Sequence, residues 1–245
     1  MIVNIANKQK FVKNFLSPIN KINENAVVKI NNNSISSLTC TGDAALFLNC
    51  IYNQENSTLS DAVSLNIPNI SKLINAINCI NDDGMDLVYE NNSIRYKSDD
   101  VNFKLHLLED GIISAPAVNI DKLKNIDFDT SFDIHYDNLT TLIKGSTFAT
   151  DTNKIYFSTK DGNVRGELSD KENQNVNSFS SVICESYEGA DINPAAPLDF
   201  EVIRMILGIR FDKCTVHLSS KLNVFLFDIS DSDYKINFIA SGLRK

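Results

Sequence analysis

Three histidines, five cysteines and a scatter of paired aspartates are the residues of this chain with most chemical potential. The histidines are His106, His135 and His217, and none has a second His or a Cys at metal-ligand spacing. His106 and His217 fall in strand-like patterns, where a structural histidine is expected. Cys40, Cys50, Cys79, Cys184 and Cys214 are odd in number, widely spaced and without a Cys-x-x-Cys. That pattern argues against a disulfide framework or zinc ribbon and points to reduced thiols in a cytoplasmic protein. Asp82-Asp83 reads as a solvated turn, and Asp161-Gly162 as a hairpin turn rather than a metal loop. No Gly-x-Ser-x-Gly, phosphate-binding loop or dinucleotide fingerprint occurs. The expectation is a non-enzyme with no catalytic residue, no metal and no cofactor.

Composition bounds the alternatives. The chain has 245 residues, with 23 Lys+Arg against 31 Asp+Glu and a net charge of −8. At 43% hydrophobic and 22% charged it is ordinary globular material, neither disordered nor collagen-like. No apolar run reaches the roughly 20 residues of a membrane span, and the first residues lack a secretory pattern, so no membrane role is expected.

Apolar periodicity predicts helices over 8–22, 69–80, 137–146 and 197–208. Pro18 should end or kink the first, and Pro197 should open the last. Strands are expected at 26–30, 35–41, 44–52, 62–67, 86–89, 94–97 and 101–107, then at 154–159, 163–169, 178–186, 214–219, 222–228 and 234–240. The second series repeats the first at an offset of about 130 residues. Phe11 and Phe15 map to Leu139 and Ile143, Ile77 to Ile206, and Phe103, Leu105 and Leu107 to Tyr234, Ile236 and Phe238. The predicted fold class is therefore α+β, as two copies of a domain of helices and antiparallel sheet. The expected boundaries are 1–110, a connector at 111–130, and 131–245.

Each helix carries a basic residue away from its apolar stripe: Lys10 and Lys13, Lys72, Lys144 and Arg204. On a wheel, the last three lie roughly 150–160° from the stripe. Only Glu201 shares such a face, whereas the other acids gather in turns and strand ends. In an acidic chain that asymmetry points to an anionic partner.

Four segments carry a resemblance: Phe-Val-Lys-Asn-Phe-Leu at 11–16, the run Leu65–Ile77, Phe-Lys-Leu-His-Leu-Leu at 103–108, and Phe-Ile-Ala-Ser-Gly at 238–242. With the two-copy order of elements, they make the chain resemble the sliding clamps, the DNA polymerase processivity factors. It is similar to the clamps of tailed bacteriophages and more distantly to proliferating cell nuclear antigen. The resemblance implies a ring of three subunits with helices lining the hole. The partners it implies are duplex DNA held topologically and without sequence readout, a DNA polymerase and an ATP-driven clamp loader. Lys10, Lys13, Lys72, Lys144 and Arg204 would then face DNA. A partner peptide would dock among Thr41, Gly42, Ala44, Ile112, Ile113, Pro116, Val118, Phe238, Ile239, Ala240 and Ser241. Ala240-Ser241 stands where the nuclear-antigen branch has Ala-Pro. Edge strands 101–109 and 178–186 would pair between subunits, in the host-cell cytoplasm if the chain is viral. The alternative from a different class is a non-enzymatic β-rich binding module, such as a virion or adhesion protein.

Overall fold

The computed structural model describes residues 1–54, 62–116, 126–173 and 175–243. The chain divides into two compact units, Met1–Ala117 with Ser230–Ile236, and Val118–Ile229 with Asn237–Lys245.

In the first unit, strand β1 (Ile2–Ile5) alternates exposed and buried residues and pairs antiparallel with β6 (Met85–Glu90). Helix α1 (Lys8–Phe11) follows, its first turn capped by Asn7, whose side-chain oxygen accepts from Lys10 N at 2.9 Å. The helix does not break at Pro18. It widens into a π turn over Val12–Leu16, where Ser17 N donates to Val12 O, and continues as α2 (Ser17–Ile22). A proline has no N–H to give and its ring crowds the carbonyl four residues back. The wider turn just before Pro18 absorbs that conflict without a kink. Phe11, Phe15, Leu16 and Ile19 are all buried by it, with Phe11 and Phe15 stacked at 5.3 Å.

Strands β2 (Ala26–Ile30), β3 (Ser34–Cys40), β4 (Leu46–Asn53) and β5 (Val63–Ile67) run in the order β4-β3-β2-β5. Helix α3 (Ile70–Asn78) begins at Asn69, which caps Lys72 N at 2.8 Å. It buries Ile70, Leu73 and Ile77. The meander β6, β7 (Ser93–Lys97) and β8 (Asn102–His106) joins β1 in the order β1-β6-β7-β8. Asn91 and Asn92, both at positive φ, make the tight turn that the right-handed twist of a hairpin favours.

The second unit repeats this plan. Strand β9 (Thr130–His135) leads into α4 (Tyr136–Ser146). Strands β10 (Lys154–Lys160), β11 (Asn163–Leu168), β12 (Phe179–Cys184), the two-residue β13 (Glu188–Gly189) and β14 (Ala196–Asp199) follow. Then come α5 (Phe200–Leu207), β15 (Lys213–Ser219), β16 (Val224–Ser230) and β17 (Tyr234–Ser241). Their orders, β12-β11-β10-β14 and β9-β15-β16-β17, copy those of the first unit, with the short β13 added beside β9. The predicted α+β class with two copies of one domain is therefore the observed one.

The last helix starts later than its sequence suggests. Pro197 sits in strand β14 opposite Tyr156, and α5 begins at Phe200 behind Asp199, whose carboxylate accepts from Glu201 N at 2.9 Å. Strand β14 ends its sheet, the place where a proline costs no ladder bond. Strands β1, β9 and β14 had no clear signal: each is six residues or shorter and abuts a helix-like run.

Candidate nucleic-acid interface and partner surface

The basic helix residues of the first unit separate into two groups. Lys13, in the π turn, and Lys72, in α3, are exposed and have no ion-pair partner among the described residues. Asn20 and Ser71 tie α2 to α3 beside them, Ser71 Oγ donating to Asn20 Oδ1 at 2.9 Å. Lys10 behaves differently. Its ammonium pairs with the carboxylate of Asp233, in the turn before β17. A helical wheel places a residue on a face but says nothing of a partner brought in by another segment, and Asp233 lies 223 residues away in sequence. The bond to Asp233 raises the Lys10 pKa, and the bond from Lys10 lowers that of Asp233. A lowered carboxyl contributes stability above its unfolded pKa and loses it as pH falls. The pair is about 40% exposed, so solvent screens it. Lys10→Ala is thus expected to leave the urea midpoint at pH 7 nearly unchanged and to flatten slightly its fall with acid. A large midpoint loss at pH 7 would contradict this placement.

In the second unit, Lys144 is exposed in the last turn of α4, again without a partner among the described residues. Arg204 is exposed but engaged. Its guanidinium meets Glu201 at 3.0 Å and lies 4.8 Å over the Phe200 ring. Of the five expected residues, Lys13, Lys72 and Lys144 are open cations, and Lys10 and Arg204 are internally neutralised.

The expected docking residues also divide. Thr41, Gly42 and Ala44 form the turn between β3 and β4. Thr41 N donates to Leu46 O and Ala44 N to Thr41 O, both at 2.9 Å, and Ala44 has φ 55°. Thr41 Oγ1 donates to Asp43 at 2.6 Å, which lowers that carboxyl's pKa. Ile112 is 61% exposed, while Ile113 and Pro116 are half-buried. Val118 lies outside the described residues. Phe238, Ile239 and Ala240 are buried, at 1%, 6% and 1% exposure, and only Ser241 is open. Strand β17 is covered on both faces from Ile236 to Ala240. Ile239 is a core residue, and a polar substitution there is a folding lesion.

The sequence reading missed a second apolar surface. On β3 and β4 the residues alternate with core positions, yet Leu38, Cys40, Phe47 and Ile51 on the other face are apolar and half-buried. The nearly unbroken run Leu46–Ile51 was the available signal.

The histidines show no convergent chemistry. His135 Nδ1 donates to Asp212 O at 3.0 Å and His217 lies 5.7 Å from the Phe128 ring. Among the described residues no three His, Cys, Asp or Glu side chains gather as metal ligands, and no helix is long and apolar enough to cross a membrane. Cys50 and Cys214 are buried, which pushes both thiols up.

No protein-family model and no curated protein matches the sequence. Solved structures do match. The PCNA of A. fulgidus, determined with the C-terminal region of FEN-1 bound, superposes with a TM-score of 0.80 at 10% identity, covering 100% of this chain and 99% of that one. The chain has the sliding-clamp fold. The PCNA of Entamoeba histolytica gives a TM-score of 0.77 at 13% identity over 99% of this chain and 98% of its own. A putative DNA polymerase III beta subunit from Eubacterium rectale gives 0.75 at 15% identity, with 100% of this chain covering 66% of that one. In a sliding-clamp fold the doubled strand order is the architecture itself, and the offset of about 130 residues is one repeat of it.

Proposed function

We propose that this chain is a sliding clamp: a homotrimeric ring that encircles duplex DNA and tethers the replicative polymerase. The observation that carries the reading is the end-to-end agreement with two-unit clamps, at 98–100% of both chains. Two further features support it. Strands β8 and β12 each end a sheet, so both offer a free edge for head-to-tail pairing. Lys13, Lys72 and Lys144 put unpaired cations on helices of both units.

In this reading the protein works by topology. A ring needs no tight phosphate contact, and tight contact would slow its movement. A few open lysines screen the duplex while the acidic remainder, at net −8, discourages adhesion elsewhere. It is a scaffold and catalyses nothing. Its partners are a polymerase and an ATP-driven loader. The A. fulgidus PCNA, seen with the C-terminal region of FEN-1, suggests the form they take: a short terminal peptide. The exposed Ile112 and the outer face of β3 and β4 are the proposed contacts.

Two measurements test this. The solution mass should be three times the 27.3 kDa chain across micromolar dilutions. After loading, the protein should stay on nicked circular DNA and run off once the circle is cut. A persistent monomer, or equal retention on circular and linear DNA, would overturn the proposal.

A further inference from the structure

The two units treat one sheet edge differently. In the first, β5 ends the order β4-β3-β2-β5. Asn31 N donates to Ser34 O at 2.9 Å, which fixes the alternation along β2. Lys29 and Val27 then direct their backbone groups to β3, and Val28 and Ile30 direct theirs to β5. It follows that Ser64 and Asn66, paired with Lys29 and Val27, point their N–H and C=O groups away from the sheet. Leu108 N takes the Asn66 carbonyl at 2.9 Å. The Ser64 N–H, the Ser64 C=O and the Asn66 N–H have no partner among the described residues.

In the second unit the chain after the last strand makes the same contact, Leu243 N donating to Pro197 O at 2.9 Å. There the accepting residue is a proline and has no N–H to leave open. One edge is blunted and the other is not.

The open edge borders a cleft of about 550 Å³ lined by Ala62, Val63, Ser64, Asn66, Tyr89, Asn92 and Leu108–Asp110. Val63, Tyr89 and Leu108 give it an apolar wall. Glu109 and Asp110 give it an acidic rim, both exposed and without a cation among the described residues. Asn66 Nδ2 holds Asp110 Oδ1 at 2.7 Å, which fixes that carboxylate at the rim.

We propose that the β5 edge is a docking site for an extended, basic peptide segment of a partner protein. The peptide pairs with the outward N–H and C=O of the exposed Ser64, where the edge is not yet covered by Leu108, and sets an Arg or Lys against Glu109 and Asp110. An apolar side chain one residue along, on the other face of the added strand, packs on Tyr89 and Val63. All these residues belong to the first unit, so the site stands whether or not the chain forms a ring.

The probe is a fluorescent, end-capped hexapeptide of alternating Arg and Val, titrated against the full chain by anisotropy, with amide exchange read in parallel. Binding should protect the amide of the exposed Ser64. Ser64→Pro removes an outward N–H that β2 does not use, and should weaken binding about tenfold without changing the melting midpoint. Glu109→Gln with Asp110→Asn should weaken it similarly and reduce its salt dependence. A Glu/Val peptide should not bind. The proposal is overturned by no binding at millimolar peptide, by undiminished binding to Ser64→Pro, or by protection appearing at β8 or β12 instead.

Discussion

A chain carrying Lys13→Glu, Lys72→Glu and Lys144→Glu is expected to fold normally and to lose retention on DNA. All three side chains are exposed and take no part in the ion pairs of the described residues, so reversing them removes no packing. On the proposed function, each reversal should take away one neutralised phosphate and set an anion in its place. The slope of log retention against log salt should fall by about 0.9 for each phosphate that is no longer neutralised. The effect should be largest at low ionic strength, where the Debye length is about 30 Å and neighbouring charges add. Lys10→Glu with Arg204→Glu should do less to DNA, because those cations are already matched by Asp233 and Glu201. Retention of the triple variant at parental levels across all salts would remove the helix faces from the DNA-binding surface.

Gly145→Ala should destabilise the second unit, although alanine is the better helix former. Gly145 lies in α4 against the edge strand β12, and a Cβ there would overlap the ring of Phe179. Overpacking of this kind costs about 1–3 kcal/mol, against a helix-propensity gain of about 1 kcal/mol. The sign should invert when the ring is removed. In a Phe179→Ala background, Gly145→Ala should raise the urea midpoint. If the substitution is stabilising in both backgrounds, the ring swings clear at little cost and the α4–β12 contact is looser than described. Because β12 is one of the two proposed pairing edges, subunit mass should be measured alongside.

Much of this was legible in the sequence, and the residues explain the rest. Apolar runs bounded by polar turns placed β3, β4 and β17 within two residues, and Asp161-Gly162 fixed the β10–β11 hairpin. The two-copy plan was readable because both halves spend their apolar residues in the same order. Pro197 misled because a proline suits both a helix start and an edge strand, and only the capping carboxylate of Asp199 decides between them. The basic face was half legible. Exposure of Lys13, Lys72 and Lys144 follows from helical spacing, but the partners of Lys10 and Arg204 do not. One comes from a residue more than two hundred positions away, and the other from its own helix. Burial of Ile239 was hidden because a strand covered on both faces reads as a plain apolar run, as does an exposed sticky one.

The π turn at Val12–Leu16 bears on the history of the chain. A turn closed by i→i+5 bonds houses one more residue than a turn closed by i→i+4 bonds. A helix can therefore accept a single inserted residue while both ends keep their grip on the core. Helix α4, the counterpart in the second unit, is regular throughout its 11 residues. Any comparison of the two halves at fixed spacing must slip where one copy carries such a turn and the other does not. The turn reads as a tolerated length change, and it lets one ancestral helix diverge in length without moving the hydrophobic contacts on either side.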